Sequence, residues 1–184
     1  MKDILSFEEK QKSSQLIFDG KVLHLYRDEV YLPNGKEGFR EFCRHNGAVC
    51  IVPITDEGEV VCVNQYRYAV DRMMLEIPAG KLDAPDEDPE SAAIRELKEE
   101  TGVDVKVIQG FRREIEYKLH RIPDTIKQSV YFLGECTSDK IICQEAEVAE
   151  AGFIPYEDAL KILTFEETKS ILKDAEAIIK LSES

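Results

Sequence analysis

The 184-residue chain carries 37 Asp and Glu against 24 Lys and Arg, a formal net charge of −13, and 43% of its residues are hydrophobic. That size suits one ordinary domain with a small appendage, and the apolar content is enough to fill its core. The acidic balance repels phosphate backbones and anionic bilayers, which argues against nucleic-acid and membrane partners; an anionic substrate would require placed cations or a bound metal to reverse the local field.

In chain order, KVLHLYRDEVYLPNGKEGFREFCRH alternates apolar and polar residues around Pro33-Asn34-Gly35, which predicts an antiparallel hairpin with one exposed face. GAVCIVPIT and EVVCVNQYRY flank Asp56-Glu57-Gly58 and predict a second hairpin, its more continuous apolar character indicating strands covered on both faces. MMLEIPAGK reads as a short strand broken by Pro78 and Gly80. A helix follows, with Asp88 as N-cap, Pro89 at its first position and Gly102 as its stop. VDVKVIQGFRREIEYKL and QSVYFLGEC are expected strands around an irregular loop, HRIPDTIK, and an acidic loop, QEAEVAEAGFIP, leads to helical segments YEDALKIL and FEETKSILKDAEAIIKL. Strands first, one internal helix and helices at the end predict an α+β fold, a sheet with helices packed on it.

The five cysteines (Cys43, Cys50, Cys62, Cys136 and Cys143) form no C-x-x-C pair, and the start MKDILSFEEKQ has no apolar signal segment. The expected compartment is the reducing cytoplasm. No window approaches the ~20 apolar residues of a membrane span.

The densest chemistry lies in GKLDAPDEDPESAAIRELKEETGV, Gly80 to Val103. On a helix, Glu96, Glu99 and Glu100 share an arc of about 100° beside an apolar arc of Ala93, Ile94 and Leu97. Arg95 can pair with Glu99 four residues on or fold back to Glu87. Such a face is either an ordinary solvated one or a cage for a cation. Acids in the final turn, where the macrodipole favours cations, the small residues of the preceding Pro-Ala-Gly turn, and the suitability of hard carboxylate oxygens for Mg²⁺ favour the cage.

The same residues resemble the Nudix box, G-x5-E-x7-R-E-U-x-E-E-x-G-U, with U aliphatic. Gly80, Glu87 and Arg95-Glu96-Leu97-Lys98-Glu99-Glu100-Thr101-Gly102-Val103 match it, with one departure: six residues instead of five separate Gly80 from Glu87, so Asp86 competes for the first glutamate position. The resemblance implies a Nudix α/β/α sandwich with a mixed sheet over residues 44–184, preceded by a small antiparallel β-region, residues 1–43, that serves dimerisation. It also implies hydrolysis of a nucleoside diphosphate derivative with Mg²⁺, or Mn²⁺, held by Glu96 and Glu100, assisted by Glu99 and the carbonyl of Ala79, while Arg95 orients the box by pairing. The metal would neutralise pyrophosphate oxygens and the charge developing on the leaving phosphate.

Two halves of the chain point to different substrates. The first half resembles ADP-ribose pyrophosphatases, dimers that exchange N-terminal strands; Gln65-Tyr66-Arg67 matches their substrate-binding arginine, which makes Arg67 a phosphate or ribose contact, with Arg44 and Tyr66 as further candidates. The region GFRREIEYKLHRIPDTIKQSVYFLGE instead resembles asymmetric dinucleoside tetraphosphate hydrolases, and Lys127 matches their polyphosphate-binding lysine, with Arg112, Arg113, Lys118 and Arg121 near it. Glu147, among Glu145, Glu147 and Glu150, aligns as a catalytic base or further metal ligand, although Ala151 stands where the family carries an aromatic ring. The expectation is ADP-ribose hydrolysis to AMP and ribose 5-phosphate by a homodimer; a dinucleoside tetraphosphate hydrolase and a non-catalytic nucleotide-binding module are the alternatives.

Overall fold

A computed structural model describes residues 7–21, 23–44, 46–118, 126–144 and 148–182, and the chain divides into two units, Met1–Asn46 and Gly47–Ser184. The first is a three-stranded antiparallel sheet of β1 (Lys10–Asp19), β2 (His24–Tyr31) and β3 (Glu37–Arg44). β2 and β3 form the hairpin expected around Asn34, whose side-chain oxygen accepts the N–H of Lys36 at 3.0 Å. β1, KQKSSQLIFD, has no clear alternation and was not expected as a strand. It is exposed along its length and is held by its ladder to β2, with Gln11 Nε2 donating to the buried Asp28 at 2.7 Å. Backbone pairing, which any non-proline residue can supply, makes this strand.

The second unit contains β4 (Ala48–Ile54), β5 (Glu59–Arg67), β6 (Arg72–Glu76), β7 (Ala79–Lys81), α1 (Pro89–Thr101), β8 (Val105–Lys118), β9 (Ile126–Cys136), β10 (Glu150–Pro155), α2 (Tyr156–Ile162) and α3 (Glu166–Ser182). The strand order is β10-β5-β4-β9-β8, with β6 on β5 and β7 on β4; the sheet is mixed because β4 and β9 run parallel. Successive residues of a strand point to opposite faces, and the two cores follow that rule. Val49, Ile51, Val61 and Phe132 pack with Ala92, Ala93 and Leu97 of α1. Their neighbours Cys50, Val52, Val60, Cys62 and Leu133 pack with Ala159, Leu172 and Ala175 of α2 and α3. The result is the α/β/α sandwich with a mixed sheet.

Two expectations about elements change. β4 and β5 flank the Asp56–Gly58 turn, yet their ladder is confined to Ile54↔Val60. Beyond it β7 pairs with Ala48–Cys50, and Ile51 donates its N–H to the carbonyl of Pro78 at 3.1 Å, so the box turn lies along β4 where a hairpin partner was expected. The second half of QEAEVAEAGFIP is a strand, not a loop: β10 pairs with β5 from Glu150↔Asn64 to Pro155↔Glu59. Its Gly and Pro mask it in sequence, and Pro is tolerated at this edge because a missing N–H there costs no ladder bond.

Candidate active site

The site is built around α1. Asp88 caps it, its Oδ2 accepting the N–H of Ser91 at 2.9 Å, Pro89 opens it, and Gly102 closes it at φ 71°, a left-handed conformation that glycine adopts without strain. The apolar stripe Ala92, Ala93 and Leu97 anchors the helix to the sheet. Glu100 lies in the last turn beside that stripe and is only 4% exposed, so the acidic face is not simply solvated. The N–H of Ala79 donates to Glu100 Oε2 at 3.3 Å, which ties the end of the helix to the Pro-Ala-Gly turn.

Gly80 completes this contact. A Cβ there would sit 1.8 Å from the carboxyl carbon of Glu96, so only glycine lets that carboxylate lie against the turn. Burial pushes the Glu96 carboxyl above its ordinary value, against the opposing pull of Arg95 Nη1 at 3.0 Å and of the Lys81 N–H. A desolvated carboxylate with its charge incompletely answered is suited to a cation.

Arg95 is the strut. Its guanidinium reaches Glu87 Oε1 at 3.2 Å and Oε2 at 3.3 Å, Glu99 at 3.4 Å and the Lys81 carbonyl at 3.2 Å. Both alternatives for this arginine, Glu99 and Glu87, are realised together. Glu87 in turn accepts the Asp83 N–H at 2.6 Å; the Arg95 bond first, and then this one, hold its carboxyl below the ordinary value. Asp86 is exposed, so the additional loop residue is accommodated without displacing Glu87 from the arginine.

The C-terminal end of α1 receives a segment for which the sequence carries no local signal. Ile142 N–H donates to the Thr101 carbonyl at 2.8 Å and Gln144 N–H to the Glu100 carbonyl at 3.1 Å, satisfying helix-end acceptors. Val148 is buried and its N–H donates to Gln144 at 3.0 Å. Glu145 and Glu147 lie outside the described residues; their flanks Gln144 and Val148 stand at this helix end. Glu150 opens β10, opposite Asn64.

Arg67 and Tyr66 separate. Arg67 shares the parity of Val61 and Val63, hence the α1 face, whereas Tyr66 shares that of Cys62 and points to the opposite face, its hydroxyl bonded to the Asp71 carboxylate. Arg67 Nη2 pairs with Glu76 Oε2 at 2.5 Å, and Nε approaches the same carboxylate oxygen at 3.2 Å. Glu76 was missed in sequence; its signal is an acid inside the apolar run MMLEI, three residues before Ala79.

Arg44 closes β3 opposite His24, and Lys127 lies inside β9 opposite Tyr117, one strand position into what was expected as loop; the side chains of both lie outside the described residues. So does that of Lys118, and Arg121 is outside entirely. The two neighbouring cations are engaged, Arg112 with Glu114 at 2.5 Å and Arg113 with Asp174 at 3.3 Å. An open cleft lined by Thr55, Glu57, Thr137, Asp139 and Phe153 lies at the far end of β4 and contains none of the candidate residues.

As a cation site, the arrangement offers few side-chain donors. Among the described residues no three acidic, His or Cys side chains converge as a metal cage, and Glu99, whose side chain is 53% exposed, is turned to Arg95. The donors brought to the Ala79–Gly80 turn are Glu96 and Glu100. One or two carboxylates with substrate phosphates and water is the donor set Mg²⁺ prefers, so these residues fit that ion.

Comparison with known proteins agrees with this geometry. Residues 44–175 match the NUDIX domain model. An ADP-ribose pyrophosphatase of Bacillus subtilis (strain 168) is 40% identical over 162 residues, covering 86% of this chain and 84% of that protein. A bis(5'-nucleosyl)-tetraphosphatase [asymmetrical] of Mus musculus is 31% identical over 101 residues, 53% of this chain and 66% of that protein. A solved structure, the crystal structure of an ADP compounds hydrolase, superposes with a TM-score of 0.64 at 19% identity, covering 95% of this chain and 96% of that one. With its box residues folded around one arginine and its sequence matched over well more than half its length, the chain belongs to the NUDIX domain family.

Proposed function

We propose that this Nudix hydrolase cleaves ADP-ribose to AMP and ribose 5-phosphate by attack of water on the pyrophosphate, with Mg²⁺ as its divalent ion. The observation that carries the reading is the convergence of two desolvated carboxylates, Glu96 and Glu100, on the Ala79–Gly80 turn, in a chain 40% identical to an ADP-ribose pyrophosphatase. Glu96, Glu100 and the Ala79 carbonyl would hold the ion. When bound it neutralises pyrophosphate oxygens, which a protein of net charge −13 could not otherwise hold. Arg95 keeps Glu96 and Glu99 in place, so their charges do not have to be gathered when substrate arrives. Arg67 supplies fork-shaped donors to a phosphate or ribose oxygen on the α1 face. Glu99 or Glu147 takes the proton of the attacking water. Arg44 and Tyr66 are lesser substrate contacts, and the position of Tyr66 on the opposite face makes it the weaker.

The N-terminal sheet supports a homodimer. Leu16, Ile17, Phe18, Leu23 and Phe39 are exposed on it, and β1 is a long open strand of the kind that proteins cover. A cytoplasmic enzyme agrees with five free cysteines.

The second reading, asymmetric dinucleoside tetraphosphate hydrolysis, is favoured by the mouse relative and would use Lys127 on a longer phosphate chain. A non-catalytic nucleotide-binding module has no need of three mutually repelling glutamates on one helix arc. One panel of ADP-ribose, diadenosine tetraphosphate, NADH and deoxynucleoside triphosphates with Mg²⁺ separates these. ADP-ribose should give the highest kcat/KM; preference for the tetraphosphate would replace the first reading by the second, and no turnover with any of them would leave the binding module.

A further inference from the structure

We propose that Glu76 is a positioning residue that presents Arg67 to the anionic part of the substrate. This rests on the reading of Arg67 as a substrate contact. The register makes the pair unusual: directly opposite Arg67 stands Arg72, another cation, and Glu76 lies four residues further along β6, opposite Val63. Four residues of strand span roughly 13 Å, so the two side chains reach toward each other along the sheet. Glu76 is a carboxylate 9% exposed on the α1 face, whereas the Arg67 side chain is 39% exposed. The acid is therefore buried and fixed, and the arginine carries the free surface.

The donor geometry defines what is left over. Nε and Nη2 are the atoms engaged with Glu76. A guanidinium has five N–H groups, so the Nη1 pair and the second hydrogen of Nη2 stay available as an end-on fork for phosphate or a sugar oxygen. An unheld arginine would lose rotamer freedom on binding; this one has lost it already. The same short segment also reaches the box, because Glu76 is three residues from Ala79, whose N–H holds Glu100. Three residues of extended chain span at most about 10 Å, so the carboxylate that holds the fork belongs to the same short segment that meets Glu100.

Kinetics of Glu76→Gln, Arg67→Ala and the double variant with ADP-ribose and Mg²⁺ test this. Glu76→Gln keeps the shape and an acceptor oxygen but removes the charge that fixes the guanidinium. It should raise KM about tenfold with kcat within about threefold, and the double variant should be no worse than Arg67→Ala, because Glu76 acts only through Arg67. Arg67→Lys, which keeps the charge without the fork, should raise KM similarly. An unchanged KM in Glu76→Gln, or additive losses in the double variant, would overturn the proposal; a lowered melting temperature alone would assign Glu76 a structural role and overturn it equally. If Arg67→Ala leaves KM unchanged, the substrate role of Arg67 fails first and the proposal with it. Should Glu76→Gln not fold, Arg67→Lys decides: an unchanged KM there overturns the proposal.

Discussion

Two charged regions, the α1 helix with its turn and the N-terminal sheet, handle charge differently. Around α1 the ionisable groups are partly withdrawn from water and locked to one another: Glu87, Glu96 and Glu99 meet on Arg95, and Glu100 is buried against Ala79. On the N-terminal sheet the pairs lie nearer the surface, Lys12 with Glu37 at 2.9 Å and Arg27 with Glu41 at 2.5 Å, with side chains 33% to 59% exposed. Water screens such exposed pairs, whereas a desolvated carboxylate like that of Glu96 is suited to a cation. The difference supports the proposal that the box charges serve a bound cation.

Glu100→Gln removes charge from the proposed metal site while keeping shape and burial; kcat should fall by ~10³ or more with the circular dichroism spectrum unchanged. Near-wild-type turnover at saturating Mg²⁺ would erase the distinction between the regions. Gly80→Ala forces the Glu96 carboxylate off the turn, and a displacement on the order of 1 Å costs about 10²-fold in rate. Restoring wild-type kcat/KM in that variant by Mn²⁺ alone would mean the close approach is dispensable. On the N-terminal sheet, Phe18→Glu or Phe39→Glu should convert a sedimenting dimer into a monomer without unfolding the second unit. A wild-type monomer at micromolar concentration would end the dimer reading.

The smallest effect concerns protons, and it has opposite signs within the box. In the metal-free protein Glu87 should titrate below the ordinary carboxylate range, since Arg95 and the Asp83 N–H favour its charged form, and Glu96 above it, since burial disfavours the charge. For Glu87 the unfolded chain binds more protons between the two values, so its stabilising contribution is present above the unfolded pKa and declines as pH falls through the folded one. For Glu96 the folded chain binds more, so its contribution is present below the unfolded pKa and is lost as pH rises through the folded one. Carboxylate-selective NMR titration through and either side of the ordinary carboxylate range reads both midpoints directly. Equal midpoints would show that the strut and the desolvated carboxylate do not differ.

The glutamate helix, both of its ends and the arginine within it were legible before any fold was known, because caps, glycine stops and i, i+4 neighbours act within a few residues of one another. The β2–β3 hairpin was legible for the same local reason, and the continuous apolar runs of β4 and β5 foretold a sheet covered on both faces. Strand β1 was not, since its residues qualify for a strand only through β2's backbone. Nor was β10, whose edge position tolerates the glycine and proline that disguise it. The acidic helix face left solvated surface and cation site both open; burial of Glu100 and the room that only a glycine at position 80 leaves for the Glu96 carboxylate favour the second. Residue types and their spacing determined the family, since short-range geometry follows from the chain itself. Which carboxylates lose their water, which glutamate holds Arg67, and which segment caps α1 were decided only when strands distant in sequence came together, because desolvation and pairing depend on neighbours the chain does not supply locally.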